Sequence, residues 1–81
     1  MLTEKDLERL VAPLIDHLID HSLEIDIIMQ GSSLIIGIYL EDEGDRAKVI
    51  GRGGKVINAL RTYFTALGGK HKMAILLEVL E

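Results

Sequence analysis

The chain has no cysteine and no tryptophan, a single proline, and three aromatic residues, Tyr39, Tyr63 and Phe64, among 81 residues. Without cysteine, neither a disulfide nor a thiolate metal site can supply stability. A chain this short buries a modest fraction of its surface, so an aliphatic core has to hold it. Polar residues interrupt every apolar stretch well before the length of a membrane span. The first residues, Met1 to Asp6, lack the basic flank and apolar segment of a secretory signal. These absences lead us to expect a cytoplasmic protein of one domain over residues 1–81, with no membrane association and no cofactor.

A further absence is local. The net charge is -4, and eleven of the thirteen acids precede Arg46. From Arg46 to Leu77 there is no acid at all, while Arg46, Lys48, Arg52, Lys55, Arg61, Lys70 and Lys72 all fall there. Screening confines each charge to about 8 Å at physiological salt, so an acidic protein can still present a basic surface to a polyanion.

What is present is periodic. Leu7, Leu10, Val11, Leu14, Ile15 and Leu18 step by three and four, the apolar stripe of a helix. Thr3 with Asp6 forms its N-terminal cap pattern. Pro13 predicts a kink or two shorter helices, because its ring opposes the carbonyl four residues back. Leu23, Ile25, Ile27 and Met29 alternate with Glu24, Asp26, Ile28 and Gln30, and Leu34, Ile36, Ile38 and Leu40 resume the alternation after Gly31-Ser32. That is a hairpin. The acidic run Glu41 to Asp45 ends the second strand, with Asp45 expected to cap a short helix through Ile50. Val56, Ile57, Leu60, Phe64 and Leu67 predict another helix of about three turns, ended by Gly68-Gly69. Met73, Ile75, Leu77 and Val79 predict a last strand. The order is α-β-β-α-α-β, a fold of the α+β class.

Between the last two helices stands Gly51-Arg52-Gly53-Gly54. Its glycines allow a sharp turn and let a ligand's backbone approach closely. It opens onto a helix N-terminus, where free N–H groups and the helix dipole favour phosphate. The loop is not a Walker A sequence, which needs four residues between its glycines and Ser or Thr after the lysine. Here two residues separate Gly51 from Gly54, and Val56 follows Lys55. His17 and His21 stand four apart, a spacing that can chelate a metal on a helix, but no third ligand is evident. No arrangement of nucleophile and base is recognisable, and the chain is not expected to be an enzyme.

Val49-Ile50-Gly51-Arg52-Gly53-Gly54-Lys55-Val56-Ile57 resembles the V-I-G-x-x-G-x-x-I signature of the KH family. The element order is that of type II KH domains, with a three-stranded mixed sheet packed on helices. The length, the proline in the first helix and the run Ala59-Leu60-Arg61-Thr62 are similar to the small bacterial single-KH proteins of the KhpA type. The resemblance covers nearly the whole chain. It implies binding of single-stranded RNA, about four unpaired nucleotides held by the GxxG backbone, in an RNA chaperone or post-transcriptional regulator. Carried over by position, Gly51, Arg52, Gly53 and Gly54 form the clamp, with Lys48 and Lys55 beside it. Ile50 and Ile57 would floor the groove, and Lys70 and Lys72, in the loop before the last strand, would form its opposite lip. Single-stranded DNA remains open as a ligand, and so does a protein-interaction subunit with incidental RNA affinity. The alternate strand positions Ile28, Ile35, Tyr39, Leu76 and Leu80 are apolar too, which points to an interface. The resemblance implies a homodimer, or a heterodimer with a larger Jag-type KH protein.

Overall fold

In the computed structural model, which describes residues 2–80, helix α1 spans Glu4–Asp16. Met1 and Glu81, the ends of the expected domain span, lie outside the described residues. Thr3 accepts from the Asp6 N–H and donates its own N–H to the Asp6 carboxylate, both at 3.1 Å, so the predicted cap is a full capping box. Leu7, Val11 and Ile15 are buried, while Leu14 and Leu18 are exposed, so the apolar stripe is narrower than the sequence suggests. Pro13 does not divide the helix in two, because it falls in the last turn, where it removes only the bond to the Arg9 carbonyl. Both residues are exposed, so water can satisfy that carbonyl.

Strands β1 (Glu24–Gln30) and β2 (Ser33–Tyr39) form the antiparallel hairpin, with Gln30 opposite Ser33. Gly31 has φ +63° and Ser32 does not turn positive, the pattern of a two-residue type II′ turn. Strand β3 (Ala74–Leu80) lies parallel to β2, giving the order β1-β2-β3 and the expected mixed sheet. Parallel pairing requires a crossover, supplied by α2 (Glu43–Ile50) and α3 (Lys55–Lys70). Leu34, Ile36 and Ile38 of β2 are wholly buried against Val49, Ile57 and Phe64 from the helices and Ile75 and Leu77 from β3. Each such side chain contributes about 1.5–3 kcal/mol on leaving water. No helix among the described residues is long and apolar enough to cross a membrane.

Two helix boundaries differ from expectation. The cap of α2 is Asp42, whose carboxylate accepts from the Asp45 N–H at 3.0 Å, so Asp45 sits inside the first turn rather than before it. Helix α3 runs straight through Gly68-Gly69. Gly68 is needed for space, not for an unusual φ: a Cβ there would lie 2.4 Å from the Met73 carbonyl oxygen.

The turn that ends α3 is a Schellman motif. Met73 N–H donates to Gly68 O at 2.8 Å and Lys72 N–H to Gly69 O at 3.3 Å. The left-handed position that glycine normally takes is occupied by Lys72, at φ +57°. Lys72→Gly is therefore expected to stabilise the fold by about 0.5–1 kcal/mol, relief of the left-handed strain outweighing the entropy of a new glycine. Urea unfolding of the two proteins measures this.

Candidate nucleic-acid interface

The end of α2 and the start of α3 are joined without a side-chain cap. Gly51 leaves α2 at φ +79°, ψ 167°, its N–H still bonded to Ala47 O at 2.8 Å. Arg52–Gly54 make one 3₁₀ turn, closed by Gly54 N–H to Gly51 O at 3.1 Å. Gly53 and Gly54 are both left-handed, at φ +64° and +78°. Gly54 is the N-cap residue of α3 and has no side chain to satisfy the N–H groups behind it. Lys55 N–H is taken by Arg52 O, which leaves the next N–H groups of the first turn at the positive helix end, with Arg52 and Lys55 exposed on either side. The ion pairs among the described residues involve neither of these two cations.

The sequence-predicted residues do not all gather here. Ile50 is 39 % exposed and lines a cavity of about 540 Å³ with Glu43, Arg46, Ala47 and Val79. Ile57 is 5 % exposed and belongs to the core beneath. Lys48 lies about 160° around α2 from Ile50. Its ammonium is engaged by Asp20, a contact that raises its pKa above the usual lysine value. Lys70 and Lys72 stand at the other end of α3, sixteen residues and so about 24 Å from Gly54. The surface between follows the free edge of β3: a cavity of about 290 Å³ beside Arg61, Thr65 and Leu77, then one of about 400 Å³ beside Thr65, Gly69 and Met73. Arg61 closes the backbone along this path, its Nε and a terminal nitrogen donating to Leu77 O at 3.3 and 3.2 Å. Arg46 is fixed in the same way, on Leu40 O and Glu41 O.

A residue outside the motif holds α2 in place. Asp45 is 1 % exposed and accepts from the N–H of Asp20 at 3.0 Å, the N–H of His21 at 2.9 Å, and the His21 ring at 3.1 Å. Burial alone would raise its pKa, but these donors together hold it below the ordinary 3.8. They fasten the α1–β1 loop to the helix that leads into the glycines. His17 caps α1 and His21 lies beyond it, so the two do not share a helix face. His21 instead meets Asp42 and Asp45, both carboxylates already committed to backbone N–H groups.

A carboxylate with a depressed pKa contributes stability that is complete above its unfolded pKa and lost as pH falls through the lower folded value. Asp45→Asn is expected to lower the melting temperature at neutral pH by roughly 10 °C, since an amide NH₂ replaces one of the two accepting oxygens and leaves at least one of the three donors without an acceptor. The variant should also lose less stability than the parent as pH falls below 3.8, where the parent's carboxylate takes up its proton. Thermal scans across that range provide the measurement.

Helix, hairpin, two helices joined by a GxxG turn, and a parallel third strand define a type II KH fold. Known sequences agree. The chain is 33 % identical to RNA-binding protein KhpA of Streptomyces coelicolor over 78 residues, 96 % of this chain and 95 % of that protein. It is 32 % identical to RNA-binding protein KhpA of Aquifex aeolicus over 78 residues, 95 % of each. With the Bacillus subtilis protein of that name, identity is 28 % over 81 residues, 99 % of this chain and 100 % of the relative. No protein-family model matches. The chain belongs to the KhpA family.

Proposed function

We propose that this chain, as one domain, binds single-stranded RNA by clamping phosphates on the Gly51–Gly54 loop, and that it acts by binding rather than catalysis. One observation carries the reading: three left-handed or glycine-only positions in four residues expose the uncapped N-terminus of α3 between two unengaged cations. The relatives named as RNA-binding proteins support it. Arg52, Gly53, Gly54 and Lys55 are the proposed contacts, and Ile50 with Val79 the apolar floor. Ile57 supports that floor from below. Lys70 and Lys72 meet the strand where it leaves the β3 edge, and Lys48 adds only long-range charge. With Tyr39 and the α3 aromatics away from the glycines, bases are not stacked, so affinity is modest and sequence preference small. A protein of this kind suits the role of an RNA chaperone or post-transcriptional regulator in the cytoplasm. Pairing with a second copy or with a larger Jag-type KH protein would join two weak clamps on one RNA and raise avidity.

Salt dependence tests the clamp. About four phosphate contacts on a single strand give a log–log slope near -3, at ~0.7 per contact. A slope near zero would exclude phosphate clamping. Titrating a matched DNA oligomer alongside determines whether the 2′-hydroxyl contributes.

A further inference from the structure

The outer face of the sheet carries an ordered pattern that the glycine loop does not use. The strand register stacks its residues in rows. Ile28, Ile35 and Leu76 lie side by side across β1, β2 and β3, with Ile28 and Leu76 each 51 % exposed. The next outward row, about 7 Å along the strands, is Asp26, Gly37 and Glu78. The row after that is Glu24, Tyr39 and Leu80. Gly37 brings no side chain, and the Tyr39 ring and Leu80 lean over it, each about 3.5 Å from where a Cβ would be. Beside Tyr39 a cavity of about 170 Å³ is lined by Ser22, Leu23, Glu24 and Glu41. A tyrosine and two glutamates lining one cavity supply the chemistry that receives a guanidinium or ammonium.

We propose that this face is a docking surface for a basic, apolar-bearing segment of another protein. Its aliphatic side chains cover Ile28, Ile35 and Leu76, and one of its arginines or lysines enters the cavity beside Tyr39. Charge excludes RNA as the occupant, since Glu24, Asp26, Glu41 and Glu78 would repel phosphates. A second copy is the poorer occupant, because a two-fold pair sets the patch against itself. With the axis along the strands, the Asp26–Glu78 row faces its own copy. With the axis across them, through the apolar row, it faces Gln30, Ser33 and Ala74. Neither arrangement brings a cation to those carboxylates. A cationic partner does, and it leaves the glycine loop free.

The probe is the synthetic peptide Val-Ser-Val-Ser-Arg-Ser-Arg, whose valines and arginines share one face when extended. Comparison peptides replace arginine by glutamate, or valine by serine. Fluorescence anisotropy and backbone amide shifts report binding. The first peptide is expected to bind at least about tenfold tighter than either comparison. It should shift amides of Glu24 to Ile28, Ile35 to Tyr39 and Leu76 to Leu80. Glu24→Gln with Glu41→Gln should weaken it about tenfold while RNA affinity stays at the parent value. Leu76→Gln should weaken it through the apolar row alone. Equal binding by the serine peptide, shifts centred elsewhere, or no binding would overturn the proposal. So would a concentration-dependent dimer that Leu76→Gln dissolves, or an RNA oligomer that shifts the amides of Glu24 to Ile28 on β1, away from the β3 edge. Because RNA affinity is read separately, failure here leaves the clamp reading untouched.

Discussion

Gly51→Ala is expected to destabilise the protein by about 3 kcal/mol or more, whereas Gly53→Ala, two residues away in the same loop, costs only about 1 kcal/mol. Both positions have positive φ, so the difference comes from the surroundings. At φ +79° and ψ 167°, Gly51 occupies a region that residues with a Cβ essentially do not enter. An added Cβ would also lie 2.6 Å from Val56 Cγ2 and 2.8 Å from the Val56 nitrogen, and that backbone cannot yield without moving the first turn of α3. Gly53 is in ordinary left-handed geometry with nothing within 4 Å of the same position. Gly54 falls between them, its Cβ meeting the Asn58 amide nitrogen at 3.3 Å, a side-chain end that can shift. Denaturant unfolding of the three alanine variants should therefore rank them Gly51, Gly54, Gly53 in decreasing cost. Equal losses at Gly51 and Gly53 would mean that the loop does not turn as described. Only the Gly53 and Gly54 variants then report cleanly on ligand binding, because loss at Gly51 mixes unfolding with the contact.

The strands and the order of elements were legible because their signal is local. Leu34, Ile36 and Ile38 alternate with outward residues in a central strand, and the structure buries all three. The glycine loop was legible because its residues are contiguous and their conformational need is specific. Features that depend on distant neighbours were not. Gly68 looked like a helix terminator, yet its reason is the Met73 carbonyl arriving from the next turn, a contact no helical pattern encodes. Asp45 looked like a cap, but its partners are backbone groups 24 and 25 residues earlier. Lys48 counted as a loop cation on sequence distance alone, and helical phase turns it toward Asp20 instead. Lys70 and Lys72 were assigned to the opposite lip of the groove by resemblance, and it is the length of α3, not their place in the sequence pattern, that sets how far they stand from Gly54. Charge segregation along the chain translated into space at the loop itself: Lys48 meets Asp20 and Glu43 lines the cavity beside Ile50, whereas Arg52 and Lys55 stand apart from the acids in every ion pair among the described residues.

That separation makes charge reversal at the loop the most decisive functional experiment. Arg52→Asp combined with Gly53→Asp is expected to lower RNA affinity by on the order of 100-fold at physiological salt, with the fold intact. The fold should survive because Arg52 is exposed, and Gly53 has open space around it. Aspartate is among the residues that tolerate its left-handed geometry best, so the stability loss stays near 1 kcal/mol. Affinity should fall because two carboxylates then stand at the phosphate position before α3, and they also compete for its free N–H groups. Lys70→Ala with Lys72→Ala, about 24 Å away, should cost only a few-fold and lower the salt slope by about one contact each at most. Circular dichroism and unfolding establish that the variants are folded, and titration with a short unstructured RNA gives the affinities. A folded double aspartate variant that binds RNA as well as the parent would remove the clamp from this loop. A larger loss at Lys70 and Lys72 than at Arg52 and Gly53 would move the principal contact to the far end of the β3 edge. Loss of RNA binding with an unchanged cellular role would identify a protein-interaction subunit whose RNA affinity is incidental.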